Sequence, residues 1–341
     1  MPTRLTTTVL AEPSDALIVG PAQLSLDETV RLAQLPYPDL RAELAPLPRW
    51  THYVLGVALM LVRHDVIAPP KVRLSVSSEV PQSVGVSSSA ALEVATARAL
   101  GAGAIDPLRL ASLCQEAENH VVGAPCGIMD QVVVAMGRNG AVLPILCRPA
   151  SVLPPLPLPK GTEVVGRPTG AEHDVGGAPY RRTRAAAFMG KRIIEDDAAQ
   201  RWPWVSALPA SAVDELPELL EGAAFLERWG DTDDAITTFD PDETYPVQAA
   251  TRFGVEEHRR AEHALAALER GDAAALGPLM AASHAGYDAI GLGHPAATVT
   301  VDEVLDRPGV HGARSSGGGS GGTIVVLCDR GALDDVDDLI R

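Results

Sequence analysis

Two segments rich in small residues, one in the first third of the chain and one near its end, most constrain what this chain can fold into. Pro81-Gln82-Ser83-Val84-Gly85-Val86-Ser87-Ser88-Ser89-Ala90 runs into Ala91-Leu92-Glu93-Val94-Ala95-Thr96-Ala97, a good helix former. A loop of this kind faces the unpaired N–H groups and positive dipole end of its helix, where an anion sits without a dedicated cationic side chain. The hydroxyls of Ser87, Ser88 and Ser89 add oxygen ligands of the type taken by nucleotide-bound Mg²⁺. A plain N-cap serine gives the same pattern, so this segment alone leaves both readings open. The second segment, Gly312-Ala313-Arg314-Ser315-Ser316-Gly317-Gly318-Gly319-Ser320-Gly321-Gly322, leads into the β-like run Thr323-Ile324-Val325-Val326-Leu327. That run ties the glycines to a buried element, which a flexible linker would not need. A dinucleotide-binding fingerprint is disfavoured, because its glycines follow a strand and open a helix.

At 341 residues the chain has ample length for two domains. A formal charge of −16 argues against nucleic acid or an anionic membrane surface as partner. It leaves room for ATP, which local N–H groups and Mg²⁺ hold despite a negative global field. Cys114, Cys126, Cys147 and Cys328 lack C-x-x-C spacing, so reduced thiols are expected, with no zinc site and no disulfide framework. No run reaches the ~18 apolar residues of a membrane span, and the start carries no signal-like segment, so a cytoplasmic protein is expected.

Leu55 to Arg63 is nearly all apolar and predicts a buried helix, and Val72 to Ser78 alternates like a half-buried strand that delivers the serine loop. Helices are predicted over 88–100, 107–119, 181–191 and 256–270, and strands over 141–146 and 163–166. Arg181, Arg182 and Arg184 read as a solvated helix face. This alternation, with a Gly-rich return strand, predicts an α+β protein of two domains. The junction falls at the proline-rich 154–159, giving domains 1–160 and 161–341.

The serine loop and the Gly-rich segment resemble the central and C-terminal motifs of the GHMP small-molecule kinases. Cys114-Gln115-Glu116-Ala117-Glu118-Asn119-His120 with Gly123-Ala124-Pro125-Cys126-Gly127-Ile128-Met129-Asp130-Gln131 is similar to the sugar-kinase branch of galactokinase and L-arabinokinase. So are His173–Tyr180, Trp229–Asp234 and His284–Gly293, the resemblance covering about residues 50 to 330. It implies a ribosomal-S5-domain-2-like N-terminal domain and a ferredoxin-like C-terminal domain. It implies a sugar 1-kinase using ATP and Mg²⁺ on a monosaccharide such as L-arabinose or galactose. Asp130 would be the base that takes the proton of the sugar hydroxyl, with Gly127 and Tyr180 against the sugar. Glu118 with Ser88 and Ser89 would hold Mg²⁺. Gly85, Ser87, Ser88, Ser89, Ala90, Gly317, Gly318 and Gly319 would hold the nucleotide phosphates.

The chain departs from the branch in three places. The early Gly-Arg-x-[AN] segment, whose arginine is associated with the transferred phosphoryl group, is not found in residues 1–25. Either that segment lies upstream of Met1, which predicts an unfilled strand position or an exposed apolar sheet edge, or the chain is a sensor that binds sugar or nucleotide without turnover. Glu172 stands where an arginine is usual, a charge that would disfavour a carboxylated sugar if it faced the pocket. Ser83 replaces a glycine, a mild change so long as no positive φ is required.

Overall fold

A computed structural model describes residues 1–171, 177–234, 236–337 and 339–340; the expectations placed on Glu172 and on His173–Gly176 lie outside them. The chain forms two compact units, one made of Met1–Gln82 with Val86–Pro155 and the other of Ser83–Gly85 with Leu156–Arg341.

The N-terminal unit begins with β1 (Thr7–Pro13), β2 (Leu17–Val19) and β3 (Ala22–Leu24). There follow α1 (Leu26–Gln34), α2 (Tyr37–Leu44), α3 (Arg49–Arg63), β4 (Val72–Ser78), α4 (Ser88–Ala99), α5 (Pro107–Glu116) and α6 (Met129–Met136). Short strands β5 (Ala141–Val142), β6 (Ile145–Cys147) and β7 (Ala150–Val152) end it. The predicted strand over 141–146 is thus split at Pro144, which has no N–H to give a ladder. Local chemistry sets several boundaries. Ser25 and Glu28 form a capping box at the start of α1, and Asp106 caps α5 ahead of Pro107.

The sheet order is β1-β4-β2-β3. β1 and β4 run antiparallel from Thr7↔Ser78 to Pro13↔Val72, and β2 lies parallel to β4. The alternation seen in the sequence has a cause in its first half, where Val72 and Leu74 join the core cluster that also holds the buried residues of α3, while Val76 is exposed. β1 is an edge strand with Leu10 56% exposed. A cavity of about 500 Å³ opens between the start of β1, α4 and α6, lined by Thr6, Val9, Val94, Ala95, Val133 and Val134 among others.

The C-terminal unit contains β8 (Leu156–Pro157), β9 (Thr162–Pro168), α7 (Ala178–Asp197), α8 (Ala210–Asp214), β10 (Leu220–Glu221), α9 (Gly222–Trp229) and β11 (Thr244–Tyr245). Then come α10 (Val247–Glu269), α11 (Ala273–Ala289), α12 (Pro295–Leu305), β12 (Val310–Ser315) and β13 (Thr323–Asp329). β13 is central in an antiparallel sheet ordered β12-β13-β9, with Ile324, Val326 and Cys328 buried against α12 residues such as Val301 and Val304. A second core gathers Met189 and Ile193 of α7 with Phe225, Tyr245, Val247 and Val255.

The arginines of α7 correct the expectation of a solvated face. Arg181 is exposed, but Arg182 Nε donates to the Thr244 carbonyl at 2.8 Å. Arg184 makes a two-pronged bond to Asp234, Nε to Oδ2 at 2.8 Å and Nη2 to Oδ1 at 2.9 Å. Further along α7, buried Lys191 meets Glu195 at 2.9 Å and Asp233 at 2.7 Å. Burial pushes the Glu195 carboxyl up, but hydrogen bonds from Lys191, the Trp202 N–H and Arg201 outweigh it and hold the group below its ordinary range. A depressed carboxylate gives stability that is present above the unfolded pKa and lost as pH falls through the folded one. Glu195→Gln is therefore expected to lower Tm at pH 7, with the gap to wild type closing in acid below about pH 4. A gap that stays constant in calorimetry from pH 7 to pH 3 contradicts this.

Among the described residues, no helix is long and apolar enough to cross a membrane.

Candidate active site

The serine loop is not an ordinary N-cap. Ser87 occupies the cap position of α4 with φ +63°, in the left-handed region, and its side chain makes no capping hydrogen bond. Holding serine there is unfavourable unless the surroundings fix it, a kind of strain found at ligand-binding turns. Ser83 also lies at positive φ, +58°, as does Gly85 at +74°. The replacement of glycine by Ser83 is therefore not mild, because the loop does demand a positive φ at that position.

In the N-terminal unit, α5 passes at Ala117 into a π-helical turn, Ala117–Val122, which Gly123 closes at φ +78°. The predicted helix over 107–119 thus changes pitch in its last turn, and π-turns of this kind recur at functional sites. Glu118 and Asn119 lie on this turn and are buried. The Asn119 side-chain oxygen Oδ1 accepts from the Cys126 N–H at 2.8 Å, and Gln115 Nε2 donates to the Cys126 carbonyl at 3.1 Å. These bonds fasten the loop that carries Gly127 and delivers Asp130 to the first turn of α6. There the helix dipole favours a negative charge.

Glu118 is the centre of a hydrogen-bonded cluster. Its Oε2 accepts from Gln131 Nε2 at 2.6 Å and from Cys126 Sγ at 3.2 Å, and the Ser89 hydroxyl bonds to the carboxylate as well. Burial pushes the Glu118 carboxyl above its ordinary range, the three hydrogen bonds pull it back, and the charge of Asp130 pushes it up again. Asp130 is thus within electrostatic reach of Glu118, and of Glu93 and Cys147 too. It also attracts the Met1 amino group, whose pKa burial nevertheless holds low. Tyr53 of α3 faces the same charges. Burial first, then Glu118, push its phenol up to about 12.

Among the described residues no three His, Cys, Asp or Glu side chains group into a metal cage. One carboxylate and a neighbouring serine hydroxyl at a helix start are a donor set that fits Mg²⁺ of the kind that keeps waters and shares phosphate oxygens. A buried carboxylate is also the group that a cation would hold ionised.

In the C-terminal unit the Gly-rich loop is pinned along its length. Tyr287 Oη donates to the Gly317 carbonyl at 2.6 Å, and the Ser320 N–H donates to the Leu292 carbonyl at 2.6 Å. Thr323 Oγ1 donates at 2.6 Å to the carbonyl of Val84, beside Gly85. Gly319 has φ +77°, and a Cβ there would lie 2.5 Å from both the Leu292 carbonyl oxygen and the Tyr287 ring. Gly319→Ala is expected to destabilise this unit by about 2–3 kcal/mol, since strain and overlap both act. A change below about 0.5 kcal/mol in urea unfolding contradicts that. Tyr180 lies in the first turn of α7, packed beside Tyr287, Ile290 and Leu292, and bonds to Arg184.

The family models for the GHMP kinases N terminal domain and the GHMP kinases C terminal domain match residues 52–138 and 264–337. A galactokinase of Chloroflexus aggregans is 34% identical over 292 residues, 84% of this chain and 68% of that protein. The chain belongs to the GHMP kinases. The L-arabinokinase of Arabidopsis thaliana is likewise 34% identical over 333 residues, 83% of this chain, which spans only 32% of that plant protein. In fold, the galactokinase of Lactococcus lactis complexed with galactose matches with a TM-score of 0.76 at 20% identity, covering 98% of this chain and 80% of that one. The two-domain GHMP kinase fold expected from the sequence is the fold found.

In this GHMP kinase, the N-terminal unit brings Glu118 together with the Ser89 hydroxyl, which bonds to it, and with the charge of Asp130, and it carries Ser88 and buried Ala90 on the first turn of α4. The C-terminal unit holds Gly85, Tyr180, Gly317, Gly318 and Gly319. A Cβ on Gly127 would meet nothing within 4 Å, so packing does not demand glycine there. Sequence inspection assigned no role to Tyr53, Glu93, Cys126 or Gln131. The last two lay inside the quoted motif, while Tyr53 and Glu93 gave only the signal of helix residues.

Proposed function

We propose that this chain is an ATP-dependent sugar 1-kinase, transferring the γ-phosphoryl group to the anomeric hydroxyl of a monosaccharide of the L-arabinose or galactose type. The observation that carries the reading is the N-terminal cluster, in which Asp130 stands within the field of a buried Glu118 hydrogen-bonded to Ser89 at the start of α4. Relatives named galactokinase and L-arabinokinase support it.

In this reading Asp130 accepts the proton of the anomeric hydroxyl as its oxygen attacks phosphorus. The strained turn at Ser87 and the first turn of α4 direct backbone N–H groups at the phosphates, and Gly85, Gly317, Gly318 and Gly319 keep side chains out of their way. Glu118 with Ser88 and Ser89 holds Mg²⁺, which when bound with ATP neutralises the phosphate charge. Gly127 and Tyr180 line the sugar. L-Arabinose and galactose differ only in the substituent at C5, so selection between them rests on contacts at that carbon.

The test is ADP release with ATP, Mg²⁺ and, separately, L-arabinose, D-galactose, D-galacturonate and D-glucuronate. Release that depends on L-arabinose or D-galactose is the expected result. Tight sugar or nucleotide binding with no release on any of the four overturns it in favour of a sensor.

A further inference from the structure

The N-terminal unit buries one more carboxyl group beside the site. Glu93 lies on α4 four residues after Ser89, hence on the same helix face, and is 0% exposed. A carboxyl is rarely buried so completely unless it is bonded to something that needs it. Its Oε2 accepts from Gln131 Nε2 at 3.0 Å, and the same nitrogen donates to Glu118 Oε2. Gln131 is itself 0% exposed, so its amide is clamped between the two carboxyl groups.

The remaining oxygens of the pair, Glu93 Oε1 and Gln131 Oε1, are buried and without a hydrogen-bond partner. Burial first, then the charge of Glu118, push the Glu93 carboxyl well above its ordinary range, against the Gln131 hydrogen bond, and Asp130 adds to the push. An uncharged acid has one hydrogen to donate where a carboxylate has none, so the pair is better satisfied in that form. Glu118, in contrast, keeps the Ser89 hydroxyl and the Cys126 thiol as further partners. A thiol is a weak donor, which leaves Gln131 as the firm anchor on that side of the Glu118 carboxylate.

We infer that Glu93 is a positioning residue for the metal-holding end of the site: it fixes the amide of Gln131, and Gln131 fixes the carboxylate of Glu118 beside Ser89. The inference rests on the proposed function only through the role of Glu118 toward Mg²⁺. Removing Glu93 takes away one of the two carboxyl groups that fix the Gln131 amide, and misplacing a single ligand weakens binding of the metal-loaded nucleotide without touching contacts to the nucleotide itself.

The experiment is calorimetric titration of the full chain with Mg²⁺·ADP, and with ADP in EDTA, for wild type, Glu93→Leu, Glu93→Gln and Gln131→Met. Glu93→Leu is expected to weaken Mg²⁺·ADP about 10-fold or more while metal-free ADP changes by less than about 2-fold. Glu93→Gln, which can pair amide to amide with Gln131, is expected to stay within about 3-fold of wild type on both. Gln131→Met cuts the link from the other side and is expected to repeat the metal-specific loss, which keeps the test open if Glu93→Leu does not fold. Equal losses with and without Mg²⁺ overturn the inference, as does an unchanged Mg²⁺·ADP affinity in the leucine and methionine variants. Wild type that binds Mg²⁺·ADP but phosphorylates no sugar sinks the proposed function and leaves this comparison readable. Wild type that binds no Mg²⁺·ADP overturns both.

Discussion

Asp130→Asn is expected to lower kcat for sugar phosphorylation by about 10²–10⁴-fold while leaving the fold and Mg²⁺·ADP affinity close to wild type. The substitution keeps the shape of the side chain and removes its charge together with its capacity to take a proton. Asp130 is held in the first turn of α6, where the dipole favours its charge, and Glu118 stands within its field. In the proposed function, Glu118 serves the metal and Asp130 receives the proton. Steady-state kinetics on the purified variant, with its melting curve beside wild type, make the check. A kcat within about 3-fold of wild type would show that the proton goes elsewhere.

Asp234→Ala is expected to cost about 3–5 kcal/mol of stability, because it leaves the Arg184 guanidinium only partly exposed and without its carboxylate. The Asp234 side chain is 0% exposed and that of Arg184 18%, so water screens this pair little. Thr237 Oγ1 also donates to Asp234 Oδ2, and the guanidinium lies over the Phe188 ring at 5.4 Å. Arg184 bonds in turn to Tyr180, so the loss should reach the residue proposed to meet the sugar. A raised KM for sugar is expected with a KM for ATP near normal. Differential scanning calorimetry with steady-state kinetics measures both, and a loss under about 1 kcal/mol would mean that the pair is dispensable.

How much of this was visible in the sequence depends on whether the governing interaction is local. α4 was legible because its residues form helix by themselves, and β4 because one face alone is buried. β13 was legible as an apolar run after glycines, and the Gly-rich loop proved to be pinned by Tyr287 and Leu292. The strands β1 to β3 were not, since short segments carrying Thr, Glu and Gln give little periodic signal, and an edge strand needs less of it. Arg182 and Arg184 looked solvated because their partners, Thr244 and Asp234, lie 62 and 50 residues further along the chain. Glu93 sat unnoticed in a helix-forming run, where a lone glutamate is usually exposed, and only the packing of α6 on α4 gives it a partner. The left-handed turns at Ser83 and Ser87 were hidden for another reason. Serine rarely adopts that conformation, so nothing local announces it.

The most direct test of the central claim is to incubate the chain with ATP, Mg²⁺ and L-arabinose or D-galactose and examine the product by ³¹P nuclear magnetic resonance. Phosphorylation of the anomeric oxygen predicts a phosphomonoester signal coupled to the anomeric proton, formed together with ADP and lost in Asp130→Asn. A phosphate ester on any other carbon, or ADP and inorganic phosphate with no sugar ester, would contradict the assignment of this GHMP kinase as a sugar 1-kinase.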